Sequence, residues 1–392
     1  MRFGGTLHSL FKLPVPILET SSCNVSPTSA HAAMLRGLSV ILIDEASMVP
    51  KHALDAIDRC LRDIMGNDVP FGGKLLLFGG DFRQTLPVVP RSTPTQIIEN
   101  CIKRSPLWPV FQKFELTENM RVRPGEQEFS EWLLRLGNGT LQSHHQGTSD
   151  MHIDIPEQCE ITDNIVDKLF PDFTVDRSST VILTPKNEHV LSMNDKVLEK
   201  LPGQEHTYYS TDSVNTDNAE EAALYSPEFL HSCNPSGMPQ HCLKLKVGAP
   251  IMLLRNLNCK EGLCNGVRLI IRNLYSTVID AEILSESHRG SRVLIPKMLL
   301  APSDANLPFI LERCQFPVKL AYVMTINKAQ GQTFDKVGIY LPEPVFSHGQ
   351  LYVAFSRARA FSDIVLEIKN TTNQYVAAGT AVTINVVYTE VL

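Results

Sequence analysis

Asp44 and Glu45 are adjacent carboxylates at the end of an apolar run, LSVILIDEAS at residues 38–47. Such a run suits a strand buried on both faces of a parallel sheet, and ligands of such folds gather at the strands' carboxyl ends. At a nucleotide, Asp44 would hold Mg2+, usually through water, and Glu45 would orient and deprotonate the attacking water. Taken alone, the pattern also describes a capped strand end, so neighbouring segments must decide. GGDFRQTLPVVP at residues 79–90 follows a second apolar run, KLLLFGG, and puts Asp81, Arg83 and Gln84 at the same edge. A glutamine there can contact both a γ-phosphate and water; the plain alternative is a polar loop stiffened by Pro87 and Pro90.

Arginines follow apolar segments in both halves of the chain: Arg121 in ELTENMR, and Arg357 and Arg359 in AFSRARA. As phosphate clamps they would contribute about 10³ to 10⁵ in rate, roughly 4 to 7 kcal/mol. As surface ion pairs they would contribute about 0 to 1 kcal/mol. TINKAQGQT at residues 325–333 is denser in polar groups than a strand-to-helix turn requires. It reads as a DNA or nucleotide contact, or as a helix start capped by Thr325 or Asn327.

These groups need a scaffold, and the pattern supplies one. Leu54, Ile57, Leu61, Ile64 and Met65 recur at helical spacing between the two apolar runs, so strand, helix, strand is expected in an α/β layer. The polar stretch at residues 137–150 marks a domain boundary. Beyond it, residues 179–201 repeat the strand-turn-helix pattern, and residues 210–223 (STDSVNTDNAEEAA) read as a surface loop or linker. Short alternating runs at residues 243–317 read as a small β module. The α/β pattern then returns in residues 336–341, 349–360 and 363–368.

With 392 residues the chain is expected to form two or three domains. Hydrophobic content of 43% and charged content of 20% are those of a soluble globular protein. No apolar run reaches membrane-span length, and no long apolar segment follows the basic start, so an intracellular address is expected. The net charge of −6 excludes nucleic-acid binding through bulk charge and leaves a local groove. Nine cysteines without a C-x-x-C pair are expected to be free thiols rather than zinc ligands.

Seven blocks, in order, resemble the Pif-type helicases of superfamily 1, relatives of the RecD helicases and of the helicase portions of Helitron transposons. They are GGTLHSLFKLP (4–14), LIDEASMV, GGDFRQTLPVV, ELTENMR, GAPIMLLRNLNCKEGLCNGVRL (248–269), AYVMTINKAQGQTF and FSHGQLYVAFSRAR. The resemblance implies an α/β fold with two RecA-like P-loop NTPase domains and an SH3-like β insertion in the second. The expected boundaries are 1–140 for the first, 141–225 and 317–392 for the second, and 226–316 for the insertion. It implies an ATP-dependent 5'-to-3' DNA helicase using ATP and Mg2+ on single-stranded and forked or duplex DNA, a monomer away from membranes, nuclear or mitochondrial if the source is eukaryotic.

By the same resemblance, Asp44 is the magnesium residue, Glu45 the water residue, Gln84 the γ-phosphate sensor, and Arg121 and Arg357 the arginine fingers, with Gln332 beside the nucleotide. Thr6, His8, Thr325, Lys328 and Gln330 match DNA-contacting positions, whereas Asn327 stands where relatives often carry histidine. The family's phosphate loop, G-x-x-x-x-G-K-[ST], has no match; Gly73-Lys74 lacks the following hydroxyl. Because that loop precedes GGTLHS in the family, the expectation is a chain starting downstream of it and inactive alone. The competing expectation is a non-catalytic, single-strand-binding remnant of a transposon-derived helicase.

Overall fold

A computed structural model describes residues 5–89, 91–145, 149–173, 177–216, 218, 224–285, 288–302, 307–377 and 379–392. The chain forms two compact units: residues 1–163, 329–335 and 339–392, and residues 164–328 with 336–338.

In the first unit, Val40–Ile43 and Leu75–Phe78 pair in parallel, Val40 opposite Leu75 and Ile43 opposite Phe78. The Lys51–Met65 helix connects them, entered through Pro50 and ended by Gly66 at φ 66°, where a left-handed residue suits glycine. Its buried stripe contains Leu54, Ile57, Leu61 and Ile64, as the periodicity predicts, and packs against Ile41 and Ile43 in one core; Met65, expected on the same stripe, is only half-buried in the last turn.

The expectation that this strand is buried on both faces is not met. Ile41 and Ile43 are buried, but Val40, Leu42, Leu75 and Leu77 are 49%, 68%, 63% and 51% exposed. The connecting helix covers one face, and none of the described residues buries the other. Leu42→Asp and Leu77→Asp should therefore shift stability by no more than about 0.5 kcal/mol while reducing self-association. Thermal unfolding with light scattering checks this; a loss of several degrees would show that the face is packed.

The same unit holds the Gln127–Gly137 helix, whose Phe129 and Trp132 pack edge-on against Phe361 and Phe355 at 4.7 and 5.0 Å. Phe355 closes the Gln350–Phe355 helix. Ile364–Ile368 pairs in parallel with Glu160–Ile161, and an antiparallel sheet joins Tyr375–Ala377, Thr380–Ile384 and His152–Asp154.

In the second unit, Thr180–Thr184 pairs in parallel with Val323–Thr325. The Glu188–Lys200 helix packs on them through Asn194: its Nδ2 donates to Val323 O at 2.9 Å and its Oδ1 accepts from Val323 N at 3.0 Å. A five-stranded antiparallel sheet runs in the order Arg292–Pro296, Val278–Ile283, Arg268–Leu274, Pro250–Leu253, Val318–Leu320. A smaller sheet joins Met298–Leu300, Leu311–Gln315 and Thr211–Val214.

That last strand corrects the reading of residues 210–223 as a loop or linker. Thr211–Val214 is held by Asp212, whose carboxylate pairs with Arg313 where both side chains are 0% exposed. A polar sequence there hides a buried ion pair. Among the described residues, no helix is long and apolar enough to cross a membrane.

Candidate functional site

The site is built where the two parallel strands of the first unit end. The ladder continues past them: Gly79 N donates to Ile43 O and Ala46 N to Gly79 O, each at 2.9 Å. A Cβ on Gly80 would lie 2.8 Å from Ala46 N, so only glycine allows the two loops this approach. Asp44 Oδ1 accepts from Glu45 N at 2.9 Å. Glu45 itself is left-handed, at φ 52° and ψ 43°, a conformation that costs a non-glycine residue about 1 to 3 kcal/mol and collects at functional positions.

Glu45 is held from the TINKAQGQT segment. Its Oε2 accepts from Gln330 Nε2 at 2.8 Å, and a Cβ on Gly331 would come within 3.3 Å of its Oε1. Gln330 Oε1 in turn accepts from Thr85 Oγ1 at 2.6 Å. Gln84, next to Thr85, has a buried Oε1 without a hydrogen-bond partner among the described residues, an acceptor held in reserve. Gly349 packs onto that loop so closely that a Cβ would meet Arg83 O at 2.3 Å.

The arginines lie around the same centre. Arg121 Nε donates to Thr333 Oγ1 at 3.0 Å, and its Nη1 approaches Ser356 O at 3.4 Å. Arg357 is wholly buried, donating to Val353 O at 3.0 Å, Gln332 O at 2.9 Å and Ser356 Oγ at 2.8 Å. Burial pulls its pKa down to about 10, and neighbouring Arg121 acts in the same direction while Glu45 opposes it. Arg357 therefore braces the Gln332 backbone and lies within electrostatic range of both Arg121 and Glu45. Asp81 ties the loop to the Gln350–Phe355 helix, accepting from Tyr352 Oη at 2.7 Å, and Arg83 Nε donates to Asn138 Oδ1 at 2.7 Å.

His348 locks this loop as well. Its Nδ1 accepts from Tyr388 N at 2.8 Å, so the proton resides on Nε2, 2.7 Å from Phe82 O. Burial pulls its pKa below the ordinary 6.5, against the opposing influence of the Phe82 carbonyl, Asp81 and Glu390. The folded state thus takes up this proton less readily than the unfolded one. Its contribution is complete above about pH 6.5 and is lost as pH falls through the lower folded value. His348→Asn should flatten the fall in urea midpoint between pH 7 and pH 5; an unchanged slope would contradict this.

The remaining expected residues lie elsewhere in the contact pattern. Thr6 is exposed and caps the Leu7–Phe11 helix, accepting from Ser9 N at 3.2 Å; His8 is exposed on that helix. In the second unit, Thr325 is buried at its strand end opposite Thr184. Lys328 neighbours Lys319, whose pKa burial chiefly, and Lys328 secondarily, lowers to about 8. The first unit thus gathers Asp44, Glu45, Gln84, Arg121, Gln330, Gln332 and Arg357, adding Thr85, Thr333, Ser356 and Tyr352. Periodicity gave no signal for those four; membership of the ordered blocks covered all but their roles.

The arrangement offers hard oxygen donors, a braced carboxylate and two cations, a set suited to a metal-bound phosphate ester. The family description "PIF1-like helicase" matches residues 1–147, and "DNA helicase Pif1, 2B domain" matches residues 228–274. The ATP-dependent DNA helicase PIF1 of Xenopus laevis is 30% identical over 325 residues, 81% of this chain and 45% of the relative. That of Homo sapiens is 30% identical over 331 residues, 83% and 45%. A Bacteroides Pif1 bound to single-stranded DNA superposes with a TM-score of 0.66 at 26% identity, covering 94% of this chain and 80% of its own. A Pif1 from a study of unwinding at forked double-stranded DNA matches at 0.66 and 27%, covering 94% and 78%. The chain spans 45% of the length of the two vertebrate relatives.

Proposed function

The chain belongs to the Pif1-like helicases, with their RecA-like α/β architecture, and from that premise we propose that it carries the hydrolytic part of an ATP-driven, 5'-to-3' DNA helicase site. The observation that supports this most is the Glu45 carboxylate, braced by Gln330 at 2.8 Å within the unit that also gathers Arg121 and Arg357. Mg2+ and ATP, when bound, supply the charge-neutralising cation and the phosphoanhydride. Asp44, an oxygen donor of the kind Mg2+ prefers, would hold the ion. Glu45 would take the proton of the attacking water, Gln84 would offer that water its Oε1, which has no partner among the described residues, and Arg121 would stabilise charge on the phosphate. Arg357 contributes its positive charge while fixing the Gln332 backbone.

The domain division we propose is 1–140, 141–225 with 317–392, and an SH3-like insertion at 226–316. Thr6, His8, Thr325 and Lys328 would face single-stranded DNA, in a monomer acting on forked or duplex DNA inside the cell, nuclear or mitochondrial if the source is eukaryotic. The competing reading is a non-catalytic, single-strand-binding remnant of a transposon-derived helicase.

Fluorescence anisotropy with labelled oligo(dT), across a salt series, tests what both readings share. Saturable binding that weakens with salt is expected, with a shallower salt slope in Lys328→Ala. No binding by the folded chain would remove both readings.

A further inference from the structure

We propose that Gln330 is a positioning residue for Glu45, aimed by Thr85, rather than a contact to nucleic acid; its meaning for hydrolysis rests on Glu45 being the water-activating group. Each end of the Gln330 amide has a partner inside the first unit, Thr85 at 2.6 Å and Glu45 at 2.8 Å. The orientation of that amide is forced. Turned over, it would set its carbonyl oxygen against a carboxylate, and Thr85 would face an N–H with its own proton undirected.

Thr85 makes a reliable anchor because it is 1% exposed, so its hydroxyl has no water to turn to. The relay leaves the two Glu45 oxygens unequal. Oε2 is engaged by an amide N–H, while Oε1 lies beside Gly331, where a Cβ would stand at 3.3 Å. Oε1 is therefore the oxygen left to take a proton. The left-handed backbone of Glu45 fixes the root of the side chain, and Gln330 fixes its tip. The relay also joins the GGDFRQT loop to the TINKAQGQT segment through side chains 245 residues apart in sequence.

The test uses the full chain, labelled with 15N-glutamine, and follows the Gln330 side-chain amide, assigned by its loss in Gln330→Leu. The expected signature is a downfield, slowly exchanging Nε2 proton that moves upfield in Glu45→Gln and broadens in Thr85→Val. Thr85→Ser, which keeps the hydroxyl, should restore it. Oligo(dT) affinity, measured alongside, should change less than twofold in Gln330→Leu and severalfold in Lys328→Ala. An amide resonance indifferent to Glu45→Gln and Thr85→Val overturns the proposal, as does a severalfold loss of DNA affinity in Gln330→Leu. If no variant, including wild type, binds DNA while the amide signature responds as expected, the relay stands and the helicase reading fails.

Discussion

Arg313→Ala is expected to destabilise the second unit by about 3 to 5 kcal/mol, the cost of leaving a buried carboxylate unpaired. Arg313 Nε lies 3.0 Å from Asp212 Oδ1 and Nη2 2.6 Å from Oδ2. The same guanidinium donates to Pro239 O at 2.9 Å and Leu230 O at 3.0 Å. It therefore ties the strand at Thr211–Val214, the Pro227–Ser232 helix and the approach to the Cys242–Leu245 strand into one fold. Replacing both partners, as Asp212→Leu with Arg313→Met, removes the unpaired charge and should recover much of the loss. Urea unfolding followed by circular dichroism measures both; a single variant as stable as wild type would show that the pair is solvated.

The largest expected effect on chemistry is at Glu45. In a version of the chain preceded by a strand, a G-x-x-x-x-G-K-T loop and a helix, Glu45→Gln should lower kcat for ATP by about 10² to 10⁴. Glutamine keeps the shape but cannot take the proton, and its amide would face Gln330 Nε2 without a charge to hold it. KM for ATP and affinity for oligo(dT) should stay within about threefold, as proposed for a residue that serves the transition state more than ground-state binding. A parallel loss of kcat and nucleotide affinity would instead make Glu45 a binding group.

Much of this architecture was legible because it is local. The stripe of Leu54, Ile57, Leu61 and Ile64 specifies its helix by spacing alone, and the run at residues 40–43 specifies its strand. What that run could not convey is how many of its faces find a partner, which depends on other segments, and here Leu42 remains exposed. Asp212 and Arg313 lie 101 residues apart, and Asp212 stands in a sequence as polar as any loop, so no window reveals that they neutralise each other. The chemistry shows the same division. Asp44, Glu45, Gln84 and the arginines were recognisable as ordered motifs, whereas the contacts of Gln330 with Thr85 and Glu45 appear only when the fold joins their side chains.

ATP turnover in the presence of oligo(dT), compared between the 392-residue chain and the version preceded by a phosphate loop, tests the central claim most directly. The expected result is turnover that depends on the added loop, is stimulated by the oligonucleotide and disappears in Glu45→Gln. Turnover that survives Glu45→Gln, or a loop-bearing protein that binds ATP and DNA yet never hydrolyses, would contradict the assignment of Asp44 and Glu45 as the metal and water half of an ATPase site.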